Sequence, residues 1–318
     1  MKQRTLQTAT ITQQVLEAGE GPLVVFCHGF PELGHSWRSQ VEALARAGYH
    51  AVAPDMRGYG GTDAPPDVED YSILHLVGDM VALVQALGEK TAYVVGHDFG
   101  APVAWHCALL RPDMFKAVAC LSVPFTPRRA NRPPLPTFRA IAKAMGKEFY
   151  ILRFQPPDAE AEFDADPERA LRIAFRAYDG STPDEERSTG FLDPDKPILD
   201  GLGQSLGLPP WMTEEDFRVY VQALSEKGFT GPFNWYRNLD RNWALTPFVQ
   251  DRRIDVPGYF MVGEKDPVRG YSGSGEAELE QWVPDLRGKE VVQGAGHWIQ
   301  QERPDVVNAA LLKFFGSL

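Results

Sequence analysis

The sequence predicts an α/β protein: a mostly parallel central sheet flanked by helices on both faces, with a helical segment inserted in the middle of the chain. Three observations carry this. Short apolar runs rich in β-branched residues recur, with helix-like segments between them. The strand pattern stops near residue 125 and resumes only after about 250. One apolar strand also runs directly through Gly96-His97-Asp98-Phe99-Gly100 into an apolar helix, which implies a sharp strand-turn-helix bend.

The elements follow in chain order. "LVVFC" (23–27), "HAVAPD" (50–55), "AYVVG" (92–96) and "AVACLSV" (117–123) read as buried strands. Between them, 73–87 places Leu76, Met80, Leu83, Val84 and Leu87 on one helical face, with Ser72 to cap its start and Gly88 to end it. From 126 to 247 prolines, an acidic loop "PPDAEAEFDADP" (156–167) and helix-like pieces replace the strands. One of these pieces has Thr213 as cap and Glu214, Glu215 and Asp216 in its first turn, where the helix dipole favours negative charge. "GYFMVG" (258–263), "KEVVQG" (289–294) and a helix over 303–316 close the chain. The expected division is a core of 1–125 and 248–318 with a helical cap of 126–247. An independent second domain is the blander alternative, but the sheet could not then resume after it.

Composition narrows the function. With 318 residues and a net charge of −11, the chain is ill suited to nucleic acid or anionic membranes as partners. No apolar run approaches the roughly 20 residues a membrane span needs. The start, "MKQRTLQTATITQQ", has charge but no apolar stretch after it, unlike a secretory signal. Cys27, Cys107 and Cys120 lie in apolar surroundings, which suits buried thiols in a reducing cytoplasm better than disulfides. No spacing suggests a metal site, and no cofactor is implied.

In open α/β sheets, ligand chemistry gathers beyond the carboxyl ends of the strands. Four segments should end there: "CHGFPE" (27–32), "GHDFG" (96–100), "GEKDP" (263–267) and "GAGHW" (294–298). The last three supply, in order, a nucleophile position, an acid and a histidine. Asp98 could be a simple helix cap, and His297 a core histidine. Asp266 could merely start a turn, and Glu264 is a rival acid two positions earlier. Together, however, these residues form one catalytic constellation. Asp98 stands where a Gly-x-Ser-x-Gly elbow would hold serine. A carboxylate is already ionised at neutral pH. It attacks esters poorly but can displace a leaving group from saturated carbon, forming an ester that a histidine-activated water then hydrolyses.

The elbow and the order of these residues resemble the α/β-hydrolases, over essentially the whole chain. The resemblance implies an oxyanion hole from the backbone N–H groups of Phe30 and Phe99 and a cis bond before Pro31. His28 could be a metal ligand, but no partner stands at ligand spacing, so it reads as structural support of the loop. In the insert, "EFYILRFQ" and "GFTGPFNWYRN" closely resemble soluble epoxide hydrolases, in which a cap tyrosine pair polarises the oxirane. The match falls on Tyr150 and Tyr236, while Tyr178 and Tyr220 read as packing residues. An epoxide needs such a proton donor because its opening creates an alkoxide. Haloalkane dehalogenases fit less well, since their halide-holding asparagine and tryptophan are replaced here by Phe30 and Phe99. Fluoroacetate dehalogenases place arginines where this chain has Phe99 and Pro102. Phe99 also departs from the tryptophan common in soluble epoxide hydrolases.

The expectation is therefore a soluble, cofactor-independent epoxide hydrolase with Asp98, His297, Asp266, Tyr150 and Tyr236 as catalytic residues. Its pocket is expected to include Pro31, Phe149, Trp235 and Trp298. Its partners are a small apolar epoxide and water, and a homodimer is compatible with the sequence. A haloalkane dehalogenase is the alternative enzyme, and a non-catalytic ligand-binding homologue the alternative of another class.

Overall fold

The computed structural model describes residues 1–318, and all three cysteines are free and buried. Eight strands form the central sheet: β1 (Lys2–Gln7), β2 (Thr12–Ala18), β3 (Leu23–Cys27), β4 (His50–Pro54), β5 (Ala92–His97), β6 (Phe115–Leu121), β9 (Gly258–Gly263) and β10 (Leu286–Val292). Two residue pairs inside the insert, β7 (Glu148–Phe149) and β8 (Phe191–Leu192), make a separate antiparallel ladder. The large sheet runs β1-β2-β4-β3-β5-β6-β9-β10. Strands β3, β4, β5, β6, β9 and β10 pair in parallel, and β2 is antiparallel to both β1 and β4.

The parallel strands are apolar throughout because helices cover both faces. Successive residues of β3 alternate between two cores. Val25 and Cys27 face the larger one, with α2 (Ile73–Ala86) and α3 (Gly100–Leu110). Val24 and Phe26 face the smaller one, where α1 (Arg38–Arg46) and the closing helix Pro304–Phe315 pack. The insert's own helices bury Phe154, Phe163, Phe217 and Phe233 in the same larger core, so cap and sheet share one hydrophobic interior.

Of the two expected helix caps, Thr213 makes its cap bond and Ser72 does not. Thr213 Oγ1 accepts the Asp216 N–H at 3.0 Å and starts the helix Glu214–Lys227. Ser72 does sit before α2, but its hydroxyl pairs with His75 Nδ1 at 2.9 Å instead of a backbone N–H. Asn242 Oδ1 accepts the freed Ile73 N–H at 2.7 Å. No helix is long and apolar enough to cross a membrane.

Candidate active site

The nucleophile position is built by close approach of backbone. Asp98 follows β5 directly with φ +51°, a left-handed conformation that costs energy for a residue with a side chain. A Cβ on Gly96 would lie 2.2 Å from the Gly100 carbonyl oxygen, and one on Gly100 would lie 2.1 Å from that of Cys27. Strand and helix can therefore meet at this angle only because both positions lack a side chain. The turn lifts the Asp98 carboxylate above the sheet.

Two other strand ends converge on it. His297 Nε2 stands 3.3 Å from Asp98 Oδ2, and His297 Nδ1 is 3.1 Å from both oxygens of Asp266. Asp266 also accepts the Val268 N–H at 2.9 Å, which fixes its orientation. Glu264 faces outward and accepts the Gly294 N–H instead, at 2.9 Å. Of the two sequence candidates, Asp266 is thus the acid in contact with His297.

The charges in this cluster support one another. Burial disfavours a charged His297, yet the Asp266 and Asp98 carboxylates overcome it and hold the imidazole well above its ordinary range. Burial likewise opposes ionisation of Asp98. The His297 hydrogen bond and charge, the nearby His97 and the Phe30 N–H together bring it below the usual carboxylate range. Both shifts favour a charged His297 beside a charged Asp98.

The Phe30 N–H donates to Asp98 Oδ1 at 2.8 Å, while Asp98 takes no such bond from Phe99 N–H, the other expected donor. The Phe30–Pro31 peptide is cis. A Cβ on Gly29 would sit 2.3 Å from Asp98 Oδ1, so glycine there keeps the loop against the carboxylate. His28 supports the loop from below, accepting the Met56 N–H at 2.8 Å through Nε2 and facing the Gly29 carbonyl at 2.9 Å through Nδ1.

Tyr150 and Tyr236 reach over Asp98 from the insert. Their ring centroids are 6.2 Å apart, and both line the cavity that contains Asp98 and His297. Burial, reinforced by neighbouring Tyr178 and Asp98, pushes the Tyr150 phenol well above its ordinary value. Burial, then Asp98 and Tyr150, do the same for Tyr236. Both remain protonated donors.

The pocket expectation needs correction. Pro31 and Trp298 line the cavity, but Phe149 and Trp235 do not. Phe149 packs behind the wall against Tyr150 and Phe191, at 4.9 Å from each. The Trp235 indole N–H turns away to donate to the Arg57 carbonyl at 3.0 Å, while its ring props Phe99 at 5.2 Å. Tyr178, expected to be packing only, lines the cavity, as do Tyr271, Phe154, Ala174 and Leu202. Tyr220 lies apart, bonded to Ser36 at 2.8 Å and Gln301 at 3.2 Å.

A buried pair lies under the triad. His97, just before the nucleophile position, bonds Glu32 Oε2 at 2.6 Å through Nδ1, and its Nε2–H donates to the His297 carbonyl at 2.7 Å. Burial works against charge on Glu32, but His97 holds its carboxyl below the usual range. Both residues stand inside motifs read from the sequence, "HGFPE" and "GHDFG"; their contact across 65 positions had no sequence signal.

Comparison with known proteins agrees with this geometry. The family model for the alpha/beta hydrolase fold matches residues 22–304. Epoxide hydrolase A of Mycobacterium tuberculosis (strain ATCC 25618 / H37Rv) is 43% identical over 99% of this chain and 98% of its own length. Epoxide hydrolase 1 of Siraitia grosvenorii is 40% identical, over 98% of this chain and 96% of its own. The solved structure of an epoxide hydrolase from an endophytic Streptomyces superposes with a TM-score of 0.95 at 39% identity, over 99% of this chain and 95% of that one. With its elbow, its order of acid and histidine and its paired phenols, this chain belongs to the epoxide hydrolases of the α/β-hydrolase fold.

Proposed function

We propose that the protein adds water to an apolar epoxide through a covalent ester on Asp98, releasing a vicinal diol. The observation that carries this reading is the position of one carboxylate between an imidazolium and two neutral phenols in a single cavity. Asp98 Oδ1 is engaged by the Phe30 N–H at 2.8 Å, so the attacking oxygen is Oδ2, which has only the longer contact with His297 Nε2 at 3.3 Å. Oδ2 forms a bond to an oxirane carbon as that carbon's bond to oxygen breaks, and the alkoxide takes a proton from Tyr150 or Tyr236.

Alkylation removes the negative charge that helped hold a proton on His297. That proton is then free to reprotonate the phenolate, leaving a neutral imidazole oriented by Asp266. His297 Nε2 next takes a proton from water as the water oxygen bonds to Asp98 Cγ. The resulting oxyanion develops on Oδ1, where Phe30 N–H already points and Phe99 N–H is the second candidate donor. Collapse returns the electron pair to the diol oxygen, which takes the remaining carboxyl proton, and the resting ion pair is restored. One water is consumed and no charge is left over.

Nine of the twelve residues lining the cavity are hydrophobic, which favours an epoxide with apolar substituents. In the same proposal, 126–247 form the cap and the remainder the core; every strand of the large sheet lies outside 126–247. A cytoplasmic location belongs to it too, supported by three buried free thiols.

The test is a single turnover in oxygen-18 water with enzyme in excess over styrene oxide. The label should appear on Asp98, with unlabelled diol. Label in the diol and none on Asp98 would mean that water attacks the epoxide directly.

A further inference from the structure

The mechanism makes no use of one buried carboxylate beside it. Glu302 is 8% exposed and lies beyond His297 at the end of the short helix Ile299–Glu302. Its Oε2 accepts the Gly296 N–H at 2.8 Å and the Gly180 N–H at 3.1 Å, and its Oε1 accepts the Trp298 N–H at 3.0 Å. Gly296 and Trp298 flank His297, whereas Gly180 belongs to the insert. One side chain therefore joins the histidine loop to the cap.

The two segments are also in direct contact. The His297 N–H donates to the Tyr178 carbonyl at 2.9 Å. A Cβ on Gly296 would fall 2.4 Å from both Gly180 N and Tyr178 O. Lys265, next to the acid, donates to the Gly180 carbonyl at 3.1 Å. Asp98, in contrast, has its backbone set by the elbow and its Oδ1 held by the Phe30 N–H, both in the core; only its Oδ2 contact with His297 Nε2 at 3.3 Å reaches towards this junction.

We propose that Glu302 is a positioning residue for the second half of the reaction, its carboxylate tying the cap turn 178–181 to the loop that carries His297. The inference rests on the covalent reading of Asp98. It makes an asymmetric claim: the cap helps to hold the base and leaves the nucleophile to the core. A carboxylate suits the task because it is acceptor-only, matching three N–H donors. A glutamine would turn an NH2 group towards at least one of those donors and lose that bond.

Several charged groups surround the junction. Asp179 is the nearest acid, itself bonded by Arg176 and the Trp211 indole N–H. Lys265 reaches the Gly180 carbonyl, and Glu264 and Arg303 bracket Gly294. His297 itself sits between its two carboxylates. Burial first, and then Asp179, push the Glu302 carboxyl up to about 7. Protonation grows as pH falls, so the clamp is complete above neutrality and weakens below it.

The experiment follows the two steps separately in single-turnover reactions with styrene oxide. In Glu302→Gln, formation of the Asp98 adduct should stay within about threefold of wild type, while its hydrolysis should slow roughly ten- to a hundredfold, the cost of a misplaced base. kcat and KM should then fall together, with kcat/KM kept. The hydrolysis step of wild type should also lose rate between pH 8 and pH 6 through a titration absent from the variant. If Glu302→Gln fails to fold, Lys265→Met loosens the same turn and should show the same split at smaller size. Equal slowing of both steps, or unchanged hydrolysis in a folded variant, overturns the role of Glu302. A wild-type enzyme that forms diol without ever carrying the adduct overturns the Asp98 reading, and this one with it.

Discussion

Replacing His297 by glutamine separates the two halves of the reaction. In the resting site His297 Nε2 lies 3.3 Å from Asp98 Oδ2, and its charge helps keep Asp98 ionised. Removing that charge has two opposed effects on alkylation. The carboxylate becomes a stronger base and nucleophile, but less of it is ionised in a buried site. These offset, so the first step should change by less than about tenfold. Hydrolysis has no such compensation, because no other base is bonded to Asp266 at the nucleophile. A positioned general base contributes roughly 10²- to 10⁴-fold, and the second step should slow by that factor. The alkyl-enzyme should therefore accumulate to one equivalent, with a mass increase equal to the whole epoxide, since ring opening expels no fragment. Intact-mass spectrometry followed by peptide mapping reads the result. An adduct on any residue other than Asp98, or steady diol production at the wild-type rate, would refute the reasoning.

Three other outcomes follow from the same geometry. Tyr150→Phe or Tyr236→Phe should slow adduct formation roughly ten- to a thousandfold, the range seen when one donor to a developing oxyanion is lost; the double variant should lose more, with hydrolysis of a preformed adduct spared in each case. The acid limb of kcat should lie at higher pH than that of kcat/KM, measured by initial rates between pH 4 and pH 9. Asp98, held below the usual carboxylate range, loses its charge only at strongly acidic pH, whereas hydrolysis needs a neutral His297; coincident limbs would count against this. Gly100→Ala should destabilise the protein by about 3 kcal/mol or more, read as a lowered Tm, because the added methyl meets the Cys27 carbonyl and neither backbone can yield.

How much of this was legible in the sequence depended on whether a residue's task was local. Strands β3, β5 and β9 are buried on both faces, and an unbroken apolar run is the direct consequence. β1 and β2 gave no comparable signal. The inward positions of β2 include Glu17, which takes Lys2, Arg4 and His50 as partners, and the neighbouring Gln13, whose amide donates to the Asp79 carbonyl at 3.1 Å. Two polar side chains with long-range partners hid the alternation. Asp98, Asp266 and His297 were readable because each sits in a turn that its own neighbours define. Phe149 and Trp235 were misplaced because they adjoin Tyr150 and Tyr236 in sequence, and in a helix or a short ladder adjacent side chains point to different sides.

The residues that the sequence left silent, and Tyr178, which it read as packing, have a common location. Tyr178, Gly180, Tyr271 and Glu302 all lie where the insert meets the acid and histidine loops, at contacts between segments far apart in the chain. Adding a cap over a sheet edge creates such contacts in one place, and there a backbone carbonyl of the insert receives the His297 N–H. The base is thus anchored partly by an element whose other task is to present phenols to the oxirane oxygen. Tyr150, which lines the cavity, and Tyr178, whose carbonyl accepts the His297 N–H, belong to the same insert. On the proposed mechanism the same insert serves proton donation in the first step and water activation in the second, whereas the backbone of Asp98 is set within the core by the Gly96 and Gly100 approach.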